Sequence, residues 1–181
     1  MAGLHINVIA VGKLKEDYWV AACAEYAKRL GRYAQLVSHE VPDRPARTDG
    51  ASARAQTAIE TALRVEAVDL RQRLGQRREL RTGQRLGEQP TSTYTVILDS
   101  SGRQFTSEQL AAKLRDLQNQ GTSTLNFVIG GSWGIATDLK SDADLLLSFG
   151  PITLPHNLAR VVLLEQLYRA YRIINGEPYH K

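Results

Sequence analysis

Apolar residues along this chain change rhythm repeatedly, and each change marks an element. His5-Ile-Asn-Val-Ile-Ala-Val-Gly12 is a short, nearly unbroken apolar run ending in glycine, which predicts a strand buried on both faces. From Glu16 to Leu30 the spacing turns helical through Trp19, Val20, Cys23, Tyr26, Ala27 and Leu30, with Gly31 placed to cap the end. Gln35 to Val41 alternates as a second strand, and the polar stretch Pro42 to Gly50 reads as a mobile loop. Ala51 to Leu86 is helical in pattern but sparsely apolar, through Ile59, Leu63, Leu70, Leu74 and Leu80, and predicts a hairpin broken near Gly75 or Gly83. After a loop from Gly87 to Thr93, a third strand covers Tyr94 to Asp99 and ends in the turn Ser100-Ser-Gly-Arg103. Thr106 and Gln109 form a capping box for a helix to about Gln120, closed by Gly121. A fourth strand from Thr124 to Ile129, a short helix from Ala136 to Ala143, a fifth strand from Leu145 to Phe149 and a helix from Leu158 to Ile174 complete the series. Strands alternating with helices predict an α/β fold around a mainly parallel sheet.

Composition narrows this only a little. With 181 residues and 43% hydrophobic content, a single domain with a full core is expected. No apolar run is long enough for a transmembrane helix, and the first residues lack the features of a signal peptide. Cys23 is the one cysteine, so no internal disulfide is expected; a free thiol fits a reducing cytoplasm, and its apolar neighbours assign it to packing. The histidines at 5, 39, 156 and 180 show no ligand spacing, which argues against a metal site. A net charge of +4 permits nucleic-acid binding without requiring it. Seven arginines between Arg64 and Arg85, against Glu66, Asp69 and Glu79, make either a solvated, salt-bridged hairpin or a basic arm for RNA phosphates.

Candidate chemistry concentrates in the last third. Gly130-Gly-Ser-Trp-Gly134 follows a strand, where glycines let a ligand approach the backbone, but it is neither a dinucleotide fingerprint nor a phosphate loop. Gly150-Pro-Ile-Thr-Leu-Pro155 holds two prolines in six residues, so its remaining backbone groups point in set directions. Such a loop can bind an adenine edge through its main chain while Ile152 and Leu154 pack on the ring. His156 stands just ahead of the last helix, with Asn157 as a candidate N-cap. Arg169 is spaced to share a helix face with Glu165. Val161, Leu163, Leu164, Leu167, Tyr168, Tyr171 and Ile174 cover more than one side of that helix, which predicts burial by the core or by a second subunit, and a dimer interface is favoured. The tail Gly176-Glu-Pro-Tyr-His-Lys181 sets an aromatic ring, an imidazole and an ammonium together behind a turn.

Taken in order, Leu98-Asp99, Ile129-Gly-Gly131, Phe149-Gly-Pro-Ile-Thr-Leu-Pro-His156, Arg160 to Tyr171 and Gly176 to Lys181 resemble the bacterial ribosomal large subunit methyltransferase H family. Ile9-Ala-Val-Gly-Lys13 and Glu25-Tyr26 extend the resemblance over most of the chain. It implies a single SPOUT-class domain over residues 1–181 with a C-terminal deep trefoil knot, an exception to the rule against knotted connections, acting as a homodimer in the cytoplasm. It implies transfer of a methyl group from S-adenosylmethionine to N3 of a pseudouridine in the helix 69 loop of 23S rRNA on assembled ribosomes. Carried over by position, the cofactor rests on Leu98, Gly130, Gly131 and the loop Gly150, Pro151, Ile152, Thr153, Leu154 and Pro155. Arg169, Tyr179 and His180 face the target base, with His180 as the general base. No metal or membrane is implied. The family is usually shorter, and the excess here falls in an Arg-rich helical insertion around residues 65–92.

Two other readings stay open on the residues. One is a related SPOUT enzyme acting on tRNA or another rRNA site. The other is a non-catalytic, ribosome-associated RNA-binding protein that keeps the fold. A nucleotide-dependent oxidoreductase lacks both the glycine fingerprint and its acidic partner.

Overall fold

The computed structural model describes residues 4–44, 46, 53–82 and 92–179. Five strands, β1 (His5–Val11), β2 (Gln35–Val41), β3 (Ser92–Gln104), β4 (Thr122–Ile129) and β5 (Leu145–Ser148), form one sheet in the order β2-β1-β4-β3-β5. Every pairing is parallel. The helices are α1 (Asp17–Leu30), α2 (Ala53–Thr82), α3 (Ser107–Asn119), α4 (Thr137–Ser141) and α5 (His156–Ile174).

Successive residues of β1 bury themselves on opposite faces, which divides the core in two. Ile6, Val8 and Ala10 join Phe127, Leu114, Leu163 and Leu167 in one layer with α1, α3 and α5. Ile9 and Val11 join Val128, Ala67, Leu70 and Leu139 in the other, with α2 and α4. Neither face of β1 meets water, so its sequence could not alternate. Asn7 and Asn126 are register partners, and the Asn7 amide donates to the Asn126 carbonyl oxygen at 2.7 Å. This buried hydrogen bond disfavours a register slip.

Several elements depart from their sequence expectation. Helix α2 runs without a break through Gly75, and Gly83, the other expected break, lies outside the described residues. A glycine in a helix costs only about 1 kcal/mol against alanine, and the surrounding Arg, Gln, Leu and Glu are good helix formers. The Ser100–Arg103 stretch is not a terminal turn, because β3 continues through it and meets β5 twice. Leu147 is the register partner of Leu98 and again of Arg103. A side chain at Gly102 would stand 2.6 Å from the Leu146 carbonyl carbon, so the continuation lies directly on the β5 backbone. Helix α5 starts at His156 behind Pro155 and has no side-chain cap; Asn157 is inside the helix, not its cap. Its broad apolar surface packs on α1, α3 and the sheet within this chain, so its width needs no second subunit. The capping box of Thr106 with Gln109 forms as expected. Cys23 is half-buried against the core. Among the described residues no helix is long and apolar enough to cross a membrane, and no cluster of potential ligands could hold a metal ion.

Candidate active site

The neighbouring strands β4, β3 and β5 end at the same edge of the sheet, and a cavity of about 630 Å³ opens there. That is within the usual range of small-molecule sites, roughly 300–1,000 Å³. Three segments wall it: Leu98 to Ser100 within β3, the turn after β4, and the loop from β5 to α5. Of the residues carried over for the cofactor, Leu98, Gly130, Gly131, Gly150, Ile152, Thr153, Leu154 and Pro155 line it; Pro151 does not.

The glycines are there for close approach. A side chain at Gly130 would run into the carbonyl of Gly134 and stand 2.7 Å from Ile135 Cγ1, because the turn folds back upon itself. That turn is closed by the Gly134 N–H donating to the Gly131 carbonyl at 3.1 Å. Gly150 has φ of +112°, a value side-chain-bearing residues rarely adopt. Ser148 fixes this bend: its Oγ accepts the Gly150 N–H at 3.1 Å and lies 3.2 Å from the carbonyls of Ser100 and Gly150. One hydroxyl thus ties the β3 exit to the loop after β5.

Asp99 is the acidic group of the wall. Burial alone would raise its pKa, but the Lys140 ammonium at 2.5 Å and the Ser101 N–H and hydroxyl outweigh it, so the carboxyl sits below its ordinary value. His156 and Ala159, on the first turn of α5, close the far side. His156 also packs on Gly12, and one turn later the buried Arg160 donates to the carbonyls of Val11 and Gly12 and to Glu40 Oε1. The same carboxylate oxygen accepts the Leu14 N–H at 2.9 Å. The cavity wall and the loop after β1 are therefore one braced unit.

The structure brings together a second cluster along α5. Arg169 donates to Glu165 Oε1 through Nε at 3.0 Å and Nη2 at 2.6 Å, as their spacing predicts, and Tyr179 OH donates to the same oxygen at 2.7 Å. The guanidinium lies 4.1 Å from the Tyr179 ring centroid. Arg172 Nη2 donates to the tail's Pro178 carbonyl at 2.6 Å, and Tyr33 OH donates to Glu177 at 2.7 Å. Burial, then the Glu165 hydrogen bond, push the Tyr179 phenol up to about 12, so it stays neutral and donating. His180 lies outside the described residues. None of Glu165, Arg169 or Tyr179 touches the cavity wall. Glu165 and Arg169 are six and ten residues beyond Ala159, about 9 and 15 Å along the helix axis.

Sequence reasoning placed the Gly130–Gly134 turn correctly but missed Ser100, Ser148 and Ala159 as wall residues, and placed His156 only ahead of the last helix. Ser148 was the one with a signal, a hydroxyl inside an otherwise apolar strand.

Residues 4–180 match the family described as "Predicted SPOUT methyltransferase". The chain belongs to the SPOUT methyltransferase family. Among its relatives, "Ribosomal RNA large subunit methyltransferase H" of Desulforamulus reducens is 41% identical over 178 residues, covering 98% of this chain and 99% of that protein. The protein of the same name from Bifidobacterium adolescentis is 41% identical over 179 residues, covering 98% of this chain and all of that one. In shape, this SPOUT methyltransferase resembles a methylase family protein from Neisseria gonorrhoeae, with a TM-score of 0.50 at 12% identity over 92% of this chain and 82% of the other, a likeness of fold alone.

SPOUT methyltransferases use S-adenosylmethionine. The cavity of this SPOUT methyltransferase suits that molecule. Among the described residues its wall carries no Lys or Arg to repel a sulfonium, and it combines bare glycine backbone with apolar Leu98, Ile152 and Leu154.

Proposed function

We propose that this SPOUT methyltransferase methylates ribosomal RNA, at N3 of a pseudouridine in the helix 69 loop of 23S rRNA on assembled ribosomes. The observation that carries the reading is the full-length similarity, about two residues in five, to proteins named for ribosomal RNA large subunit methylation. When bound, S-adenosylmethionine supplies an electrophilic sulfonium methyl. Leu98, Gly130, Gly131 and the loop from Gly150 to Pro155 would hold it, with Ile152 and Leu154 supplying apolar surface. The work left to the protein is largely positioning.

Pseudouridine N3 carries a proton that must leave before or as the methyl arrives. His180 takes it, directly or through one water. Tyr179, held neutral and oriented by Glu165, positions the base, and Arg169 offsets negative charge on the base or a phosphate. His180→Ala protein that binds cofactor and ribosomes normally and still methylates at the wild-type rate removes the base assignment.

The Arg169–Tyr179 cluster stands apart from its own chain's cavity, which supports a homodimer whose tails each complete the partner's site. Mixing Gly130→Ala subunits with Arg169→Ala subunits then restores about a quarter of wild-type activity, because half of the dimers carry one intact site. No recovery in the mixture assigns both clusters to one chain. The C-terminal trefoil knot of the SPOUT class belongs to the same reading, supported by the family match over residues 4–180.

The primary test is transfer of labelled methyl from S-adenosylmethionine to intact ribosomes, separated subunits and bulk tRNA from cells lacking the protein. Label mapped to the helix 69 pseudouridine of intact ribosomes is expected. Label on tRNA alone overturns the substrate, and no label with no cofactor binding overturns the enzymatic reading.

A further inference from the structure

Beside the cavity, the turn after β4 carries a group that the chemistry above does not use. Its two central residues are Ser132 and Trp133. Ser132 and Gly134 face the cavity, whereas Trp133 is not part of the wall and leaves its indole 39% exposed. Large apolar side chains are normally withdrawn from water, so an exposed indole on a rigid mount calls for an explanation. The mount is rigid: the Gly134 N–H closes the turn, Gly130 lies under it with no room for a side chain, and Gly131 packs against Val11 Cγ1.

That last contact sets the turn against the end of β1, from which the chain continues into Lys13 and Lys15. Both lysines are exposed, and neither has an ion-pair partner among the described residues. Their loop is held in place by Arg160 on the Val11 and Gly12 carbonyls and by Glu40 on the Leu14 N–H. The acidic group by the turn is Asp43, near Gly131, while Glu40 is already paired with Arg160. One exposed stacking surface beside a braced loop that carries two exposed lysines is the arrangement that suits a single strand of nucleic acid.

We propose that Trp133, Lys13 and Lys15 form a docking subsite for single-stranded RNA at the rim of the methyl-donor cavity. The indole stacks on a base flanking the one that enters the site, and the lysines take adjacent phosphates. Because Trp133 is not among the residues that line the cavity, the subsite reads a neighbour and not the reacting base. It rests on the RNA methyltransferase reading above, and it makes Trp133 a positioning residue, not a catalytic one.

The chain has two tryptophans, so a Trp19→Phe background leaves Trp133 as the only indole. Its emission is followed while a mixed-sequence single-stranded oligoribonucleotide, or an abasic strand of the same length, is added. The base-bearing strand quenches Trp133 to saturation and the abasic strand binds without quenching. Trp133→Ala weakens strand binding by about 5- to 150-fold, the range for one stacked base. Trp133→Phe recovers most of the loss, and S-adenosylmethionine affinity stays unchanged in both. Replacing Lys13 and Lys15 by alanine lowers the salt slope of log affinity by about 1.4, from roughly 0.7 per phosphate contact on a single strand. Unaltered emission at saturating strand, or wild-type strand affinity in Trp133→Ala, overturns the subsite. So does conversion of Trp133→Ala to monomers in sedimentation, which makes the indole a subunit contact. Methyl transfer to RNA with a silent Trp133 removes this proposal alone; quenching without methyl transfer to any RNA removes the functional reading and leaves the subsite standing.

Discussion

Gly130→Ala tests how far the proposed cofactor cavity depends on the close folding of one turn. The added methyl would meet the Gly134 carbonyl oxygen and stand 2.7 Å from both the Gly134 carbonyl carbon and Ile135 Cγ1. Ordinary contact begins near 3.4 Å, so the backbone at Gly134 and Ile135 has to move by about 0.7 Å. Overpacking of this kind costs about 1–3 kcal/mol. In a chain of this size that lowers Tm by about 2–4 °C for each kcal/mol. The control is Gly121→Ala, which lies at the start of β4, far along the strand from the cavity. Gly121 has φ of +84° with open space around it, so alanine there is strained by about 1–2 kcal/mol and touches nothing. The two variants should lose comparable Tm. They should differ in S-adenosylmethionine binding by calorimetry: unchanged for Gly121→Ala, and weaker by about tenfold or more for Gly130→Ala, since a displacement approaching 1 Å can cost up to 100-fold. Wild-type affinity in Gly130→Ala, at a Tm confirming the strain, refutes the view that this turn forms the cofactor's contact surface.

Arg160→Met should lower stability by about 1–3 kcal/mol in urea titration, because it strips buried carbonyls of Val11 and Gly12 of their donor, while Glu40 can turn to solvent; no change in midpoint counts against the brace. Asp99 has a depressed folded pKa, so its share of stability is present above the ordinary carboxylate value and lost as pH falls through the folded one. Lys140→Met should therefore lower Tm at neutral pH, with the gap to wild type closing below about pH 4; a gap that persists in acid contradicts the ion-pair account.

Where local chemistry decides, the chain could be read directly. The apolar run of β1, the alternation of β2 and the Thr106–Gln109 box all stand as the pattern implies, because each depends on neighbours within a few residues. The Gly-Gly turn and the Pro-framed loop likewise pointed to the cavity, since glycine and proline constrain backbone wherever they stand. Ser100 to Arg103 has turn composition, yet it lies extended on β5, more than forty residues away; that contact belongs to the tertiary fold. The width of α5 was legible as burial but not as what buries it, because α1 and α3 cover an apolar face as well as a second subunit would. Ser148 and His156 are ordinary residues until Gly150 and Gly12 are seen beside them. The separation of Arg169 and Tyr179 from the cavity is likewise a matter of helix length in space, which motif order along the chain conceals.

The return of β3 over β5 also bears on how this sheet avoids pairing with other chains. An outermost strand usually offers a row of free amide and carbonyl groups to any other chain, the commonest start of sheet-to-sheet aggregation. Here β5 is short and is paired by β3 a second time, at Arg103–Leu147 and Gln104–Ser148. The chain covers the Leu147–Ser148 end of this edge with its own backbone. That leaves β2 as the other border, where Gln35, Ser38 and Glu40 are exposed and polar, a poor template for a foreign strand. A parallel sheet is slow to assemble because its partners are distant in sequence. Once assembled, this one presents little with which a misfolded neighbour could pair.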